Sequence, residues 1–462
     1  KGVPFHQLTM VKQTAYIRDQ SKDVPKNKNW KDITIHSHQN CLEDKKAFAA
    51  NFKQVEQESN KVIANRIIQN IEEDNLIINP PFQTMTEKEI DTSFDLPFTR
   101  LPHPKYKKRG TIPAHEMIKF SINMHRGCFG GCSFCTISAH QGKFIASRSQ
   151  KSILNEVDQV VDMPGFKGYI SDLGGPSANM YKMKGVVQET CDKCIAPSCI
   201  HPVVCSNLDT SHSQITEIYR KVDKHPKVKK AFIGSGIRHD LLTKSYNKNA
   251  DTSINDYMVQ LLTRHVSGRL KVAPEHTSAD TLKIMRKPSF AHFKEFKKQF
   301  DDIDRKFGLN QQLVPYFISS HPGCKEEDMV NLAIETKELG FKLEHVQDFT
   351  PTPMTVATVM YYSGYHPYTL KQYYTPKSKT EKINQHRFFF WYKRENQNWI
   401  RKRLNDAKRP DLLKRLLGSD QKELNQQVKV GNKVEPKSSE RFQRRKNKTG
   451  RINNTEKKRK RQ

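Results

Sequence analysis

"IKFSINMHRGCFGGCSFC", residues 118–135, runs from an apolar stretch into a loop that holds Cys128, Cys132 and Cys135 in the spacing C-x3-C-x2-C. The first half, rich in β-branched and aromatic residues, reads as a β-strand. The second half places three of the chain's nine cysteines within eight residues. Gly127, Gly130 and Gly131 let that loop curl tightly around a bulky group.

Five more strand candidates follow. They are "KGYISDL" (167–173), "KKAFIGS" (229–235), "RLKVA" (269–273), "LVPYFIS" (313–319) and "KLEHVQD" (342–348). Amphipathic segments lie between them. In 149–163, Ile153, Leu154, Val157, Val160 and Val161 fall on one helical face with Ser149 as N-cap, and 325–340 ends at Gly340. Strands alternating with helix-sized segments predict a parallel sheet with right-handed crossovers. Six strands are short of a closed eight-stranded barrel, so the expected fold class is α/β, a partial (β/α)6 open barrel with an N-terminal arm and a C-terminal helical extension.

In such barrels the chemistry sits in the loops after the strands. Here these are the cysteine loop, "GGPSANMY" (174–181), "GIRHD" (236–240), "PEHTS" (274–278), "SHPGC" (320–324) and "FTPTPMT" (349–355). On this register Ser235, Gly236, Glu275 and His276 face one cavity; the alternative is that they cap and brace their own loops.

Structural zinc closes with four ligands, whereas three thiolates suit three irons of a cubane and leave a fourth iron open. The amine and carboxylate of S-adenosylmethionine can chelate that iron, beside a sulfonium that one electron cleaves. A second group, "CDKCIAPSCIHPVVC" (191–205), has Cys191, Cys194, Cys199 and Cys205 at C-x2-C-x4-C-x5-C. Four thiolates can close a zinc site or hold an auxiliary cluster; free buried cysteines are the other reading. Cys41 and Cys324 stand alone and read as ordinary.

The triplet, with an aromatic before its last cysteine and a strand before the loop, resembles the radical S-adenosylmethionine superfamily. "IPAHEMIKFSINMHRGCFGGCSFCTISAHQGKFIASRS", "GYISDLGGPSANMY", "LKVAPEHTS", "LVPYFISSHPGC" and "VQDFTPTPMTVATVMYYSG" narrow this to a resemblance with the YgiQ-type family, over roughly residues 1–420. The resemblance implies that Cys128, Cys132 and Cys135 ligate a [4Fe–4S] cluster and that Phe134 contacts the adenine of S-adenosylmethionine. It also implies that Gly174 and Gly175 hold that cofactor's amino group. Pro176 stands where many members carry an acidic residue, which makes Asp172 the substitute candidate. The competing reading of the glycine pair is a tight turn at positive φ. Family members show counterparts of Cys194, Cys199 and Cys205, with Cys191 less regular. The family's further N-terminal α/β domain is expected to be missing, and the start at Lys1 rather than Met fits a fragment.

The implied activity is reductive cleavage of S-adenosylmethionine to a 5′-deoxyadenosyl radical that acts on an unknown substrate, with a reductase or other electron donor as partner; the catalytic residues stay unassigned. One rival is a radical enzyme acting on RNA, another a zinc-binding nucleic-acid module without catalysis. The net charge of +30 is uneven, since 431–462 holds 13 Lys and Arg against 3 Asp and Glu. That segment reads as disordered, either a solvated tail or an RNA-docking arm. No apolar run of about 18 residues occurs, so no membrane span is expected. Clustered cysteines in odd number suit a reducing, cytoplasmic setting. The expected divisions are 1–115 (helical at 41–69, then proline-rich and extended), 116–375, 376–430 with two helices, and 431–462. The aromatic run 388–392 reads as packing, with base stacking as the alternative.

Overall fold

The computed structural model describes residues 2, 4, 7–343 and 346–418. Its contacts divide the chain once, into Lys1–Phe390 and Trp391–Gln462, rather than after 115 and 375.

The N-terminal region is more than a helical arm. β1 (Ala15–Asp19), β2 (Asp32–Thr34), β3 (Arg66–Ile71) and β4 (Asp74–Ile78) make a four-stranded sheet in the order β1-β4-β3-β2. The β-branched runs "RIIQNI" and "DNLII" pair antiparallel from Ile67↔Ile78 to Ile71↔Asp74, turning through Glu72 at φ 52°. The helix expected over 41–69 therefore stops early. Its main part, Lys45–Ser59, starts where the Asp44 side chain accepts the Lys46 amide and ends at Asn60. The stretch expected to be extended contains the helix Glu87–Phe94, closed by a capping box between Thr86 and Glu89. Ala49 and Phe52 of the first of these helices share a core with Val356, Val359 and Met360, so the region completes itself on the body of the fold.

Each of the six strand segments read from the sequence contains an observed strand. β5 (Ser121–Asn123) leads into β6 (His125–Arg126), which pairs antiparallel with β7 (Ala146–Ser147) and clasps the cysteine loop between them. Next come β8 (Tyr169–Ile170), β9 (Asp172–Gly174), β10 (Lys230–Ala231), β11 (Arg269–Glu275), β12 (Gln312–Ser319) and β13 (Gln347–Asp348). β5 pairs with β9, β8 with β10, β11 with β12 and β12 with β13, all parallel. A parallel bridge from Ile237 to Val272 links the third segment to the fourth. The neighbours thus follow chain order.

The strands are shorter than expected and their pairing is broken. Ser171 interrupts the second segment, and Pro274 and Pro315 have no N–H to give the ladder, whose register shifts between Val272 and Glu275. Among the described residues no pairing joins β5 to β13, so no barrel closes. The fold is mixed α/β.

The helices cover this row as their spacing predicts. Gln150–Val161 buries Ile153, Val157, Val160 and Val161, and Ser149 caps it by accepting the Ser152 amide. Glu326–Glu338 is followed by Gly340 at φ 77°. Phe290–Phe307 buries Phe290, Phe293, Phe296 and Phe300 along one stripe, about 1.5–3 kcal/mol for each ring removed from water. Beyond 375 there are three described helices rather than two. Lys379–Phe389 closes the first unit, where Phe389 lies 6.5 Å from the Phe317 ring of β12. Arg394–Asp406 and Pro410–Leu417 pack together in the second. The basic segment 431–462 lies outside the described residues. No helix among the described residues is long and apolar enough to cross a membrane.

Candidate functional site

The cysteine loop leaves β6 in a conformation its glycines permit. Gly131 sits at φ 58°, and a Cβ there would lie 2.5 Å from the Pro197 carbonyl oxygen. A Cβ at Gly130 would lie 2.8 Å from Arg238 Nη1 and 3.3 Å from Cys128 Sγ. Backbone bonds fix the rest. The Cys128 amide donates to Gly142 O (3.0 Å), the Cys135 amide to Cys132 O (3.1 Å) and the Ser133 amide to Met285 O (3.0 Å), while Ser133 O accepts the Ala357 amide (2.8 Å). Cys128 is buried; Cys132 and Cys135 are half-buried.

Arg238, in the loop after the third strand segment, meets the cysteine loop and was not singled out from the sequence. Its Nη1 donates to Cys132 Sγ at 3.3 Å, and its other nitrogens donate to both carboxylate oxygens of the fully buried Asp240. Burial alone would raise the Asp240 carboxyl, but the guanidinium holds it well below the usual range. Asn179, in the loop after β9, fixes the backbone of Arg238 in both directions, at 2.7 and 3.1 Å. The only earlier signal was the short "GIRHD" run after a strand.

A second cation reaches the loop from elsewhere. Arg286 Nη1 donates to Gly131 O at 3.3 Å, and the same guanidinium forms a two-pronged pair with Glu56, at 2.7 and 2.9 Å. Tyr368 adds a hydrogen bond to Glu56 at 2.6 Å. Helix Lys45–Ser59 is in this way tied to the cysteine loop.

The other expected residues divide. Phe134 packs against Met285, Ile318, Phe349 and Ala357, with its ring edge-on to His321. Neither Gly174 nor Gly175 adopts a positive φ; Gly175 is required for close approach, and Gly174 sits in a tight contact. A Cβ at Gly175 would lie 2.4 Å from the ring of His125, and one at Gly174 3.0 Å from Ser235 Oγ. Burial lowers the His125 pKa to about 4, so that ring is neutral. Asp172 is already engaged: it accepts from the amides of Gly234 (2.8 Å) and Ser235 (3.1 Å) and from Ser235 Oγ. Gly236 accepts the Ala178 amide at 3.0 Å. His276 braces its loop, with Nδ1 accepting the amides of Thr277 and Ser278 at 3.0 Å each, which leaves Nε2 to face Cys324 Sγ at 3.4 Å. Glu275 is buried at φ 70°, 3.9 Å from Lys287, and stands near enough to Cys135 to help raise its thiol. Cys41 is buried and accepts from Asn51 Nδ2 at 3.0 Å.

The second cysteine group lies directly against the first loop. The Cys199 amide donates to Phe129 O (3.0 Å), and Ser198 Oγ donates to Gly130 O (2.8 Å). Cys191, Cys199 and Cys205 line a cavity of about 440 Å³ walled by Phe129, Phe144 and Met183. Lys143 is 1 % exposed; its Nζ donates to Ala196 O (2.7 Å) and Cys194 Sγ (3.5 Å). Asn207 Nδ2 donates to Cys191 Sγ at 3.4 Å.

Burial first, and neighbouring sulfurs after it, push the Cys135 thiol up to about 12; burial takes Cys199 up to about 11. Among the described residues no three Cys, His, Asp or Glu are grouped so as to hold a metal ion. A [4Fe–4S] cluster makes a different demand, because each cysteine binds its own iron. Three thiols in one glycine-cradled loop, with a guanidinium on Cys132 to balance anionic sulfur, fit that group.

Residues 1–121 match the family described as Radical SAM N-terminal. Residues 344–462 match a domain of unknown function, DUF3362. A UPF0313 protein of Porphyromonas gingivalis is 56 % identical over 416 residues, covering 90 % of this chain and 65 % of that protein. One from Bacteroides thetaiotaomicron is 57 % identical over 413 residues, covering 89 % and 66 %. One from Methanocella arvoryzae is 43 % identical over 371 residues, covering 80 % and 60 %. The chain thus spans just under two thirds of these relatives. A solved radical S-adenosylmethionine methyltransferase, TsrM from Kitasatospora setae with cobalamin and a [4Fe–4S] cluster bound, is matched at TM-score 0.37 and 14 % identity, over 64 % of this chain and 49 % of that one. A likeness that weak carries no argument here.

Proposed function

The chain belongs to the radical S-adenosylmethionine superfamily as a UPF0313 protein, and on that premise we propose that it is an enzyme whose Cys128, Cys132 and Cys135 hold a [4Fe–4S] cluster. With S-adenosylmethionine, such a cluster supplies one-electron cleavage to methionine and a 5′-deoxyadenosyl radical, which takes hydrogen from a substrate. The observation that carries this reading is the cysteine loop itself, which follows β5 and leaves from β6, and is met by Arg238 from the loop after the third strand segment. The strand order supports an open (β/α)6 barrel, with the loops after its strands as the reaction chamber.

The chain's own residues then have distinct tasks. Arg238 donates to the Cys132 sulfur and stabilises its negative charge, while Asp240 keeps the guanidinium in place. Gly130 and Gly131 let the loop pass under Arg238 and over Pro197. Gly174 and Gly175 keep the next loop free of side chains, and Phe134 offers an aromatic face for the adenine. Phe134, Met285 and Phe349 form an apolar floor that limits water. We further assign a reductase or another one-electron donor as partner and a cytoplasmic location. The four cysteines of the second group are a further metal site, zinc or iron–sulfur.

The zinc-module alternative predicts zinc without iron or sulfide in the anaerobically prepared chain. The RNA-docking alternative rests on 431–462, outside the described residues. The test is 5′-deoxyadenosine release after anaerobic reconstitution with iron and sulfide and chemical reduction. The wild type is expected to release it and Cys132→Ala to fall to background. Zinc in place of iron, with no release from either, overturns the proposal.

A further inference from the structure

The geometry points to a second iron–sulfur cluster at Cys191, Cys194, Cys199 and Cys205, with the buried Lys143 ammonium as its counter-charge. This deepens the reading that the second group binds metal, and three observations carry it.

The first is the ligand set. Cys191, Cys194, Cys199 and Cys205 are neighbours in sequence and in space, with the Cys194 amide on Cys191 O (3.1 Å) and the Cys205 amide on Cys199 O (2.8 Å). Four thiols in one short stretch match the four cysteine ligands of an iron–sulfur cluster.

The second is room. Three of the four cysteines face the cavity of about 440 Å³, and Phe129, Phe144 and Met183 supply apolar walls. A single ion would leave most of that volume unfilled.

The third is charge. Lys143 is buried, and its described polar partners are a carbonyl and Cys194 Sγ; among the described residues it has no carboxylate within ion-pair distance. An ammonium taken out of water without an anion is costly. A core bound by four thiolates carries net negative charge and supplies that anion. A zinc tetrathiolate would supply it too, so Lys143 argues for a metal at this place, while the room selects the kind.

The full chain, reconstituted anaerobically with ferrous iron and sulfide, tests this by counting iron, sulfide and zinc per chain. The wild type is expected to hold twice the iron and sulfide of the Cys128→Ala/Cys132→Ala/Cys135→Ala variant. That variant is expected to keep one reducible cluster with an electron paramagnetic resonance signal. Cys194→Ala with Cys199→Ala is expected to lose the other half. Adding Lys143→Met to the triple variant is expected to lower the potential of the remaining cluster by at least about 59 mV, a tenfold shift in its reduction equilibrium. One cluster's worth of iron in the wild type, a count that depends on no variant, overturns the assignment, as does zinc in the triple variant. An unmoved potential removes Lys143 from it. If 5′-deoxyadenosine release fails while the second half of the iron is present, the first-loop reading falls and this one stands.

Discussion

Cys132 and Cys194 each receive a hydrogen bond from a cation that the fold has taken out of water, but the two cations are kept in different ways. Arg238 comes with Asp240, held on both carboxylate oxygens, and with Asn179 on its backbone. Lys143 comes with the Ala196 carbonyl and the sulfur. The charge beside the first loop is therefore balanced before anything binds there, and the charge beside the second is not. A site that is balanced in advance keeps its shape empty; a site that depends on its occupant does not.

The sharpest attempt to break this contrast is Arg238→Gln. It strands Asp240 as an unpaired buried carboxylate and is expected to cost about 3–5 kcal/mol, read as a fall in the urea midpoint. Adding Asp240→Asn should recover most of that stability but not S-adenosylmethionine cleavage. Recovery of both would show that the guanidinium only fills space. Gly131→Ala tests the seam between the groups. Its Cβ would strike the Pro197 carbonyl from a left-handed backbone, at a cost of about 1–3 kcal/mol, and iron content should drop in both groups together. Lys143→Met is predicted to change sign with loading. In the metal-free chain it is expected to be neutral or to stabilise by about 1 kcal/mol; after reconstitution it should destabilise. A constant sign, followed by thermal denaturation, would erase the distinction between the two cations. Smallest is Ser198→Ala, which deletes the bonds to Gly130 O and Phe129 O and is expected to cost about 1 kcal/mol with iron content unchanged.

How far these features were legible in the sequence follows from the range of the interactions. The six strand segments were readable because β-branched runs and the loops after them are local signals, as were the Ser149 cap and both cysteine groups. The N-terminal sheet was missed because "RIIQNI" continues the helical-looking run before it, and only its partner "DNLII" across a four-residue turn makes it a strand. Thr86 with Glu89 is a legible capping box that the proline-rich surroundings obscured. Lys143 and Arg286 were not legible at all, and Arg238 only as one member of the "GIRHD" loop after a strand. A lone Lys or Arg reads as solvated surface in a chain with 79 of them, and only the tertiary fold shows which are buried. The glycine pair was legible by residue type, and what the sequence hid is the crowding there by the His125 ring and the Ser235 hydroxyl.

Glu56 sits in a helix that a gene-level view would assign to a detachable leader, yet its carboxylate is the partner of Arg286, which in turn reaches the Gly131 carbonyl. Recombination that exchanged the first hundred residues with those of an unrelated protein would leave that guanidinium buried and unanswered next to the loop. The two stretches are therefore bound to be inherited together, and substitutions at position 56 and position 286 should be tolerated in lineages only as pairs.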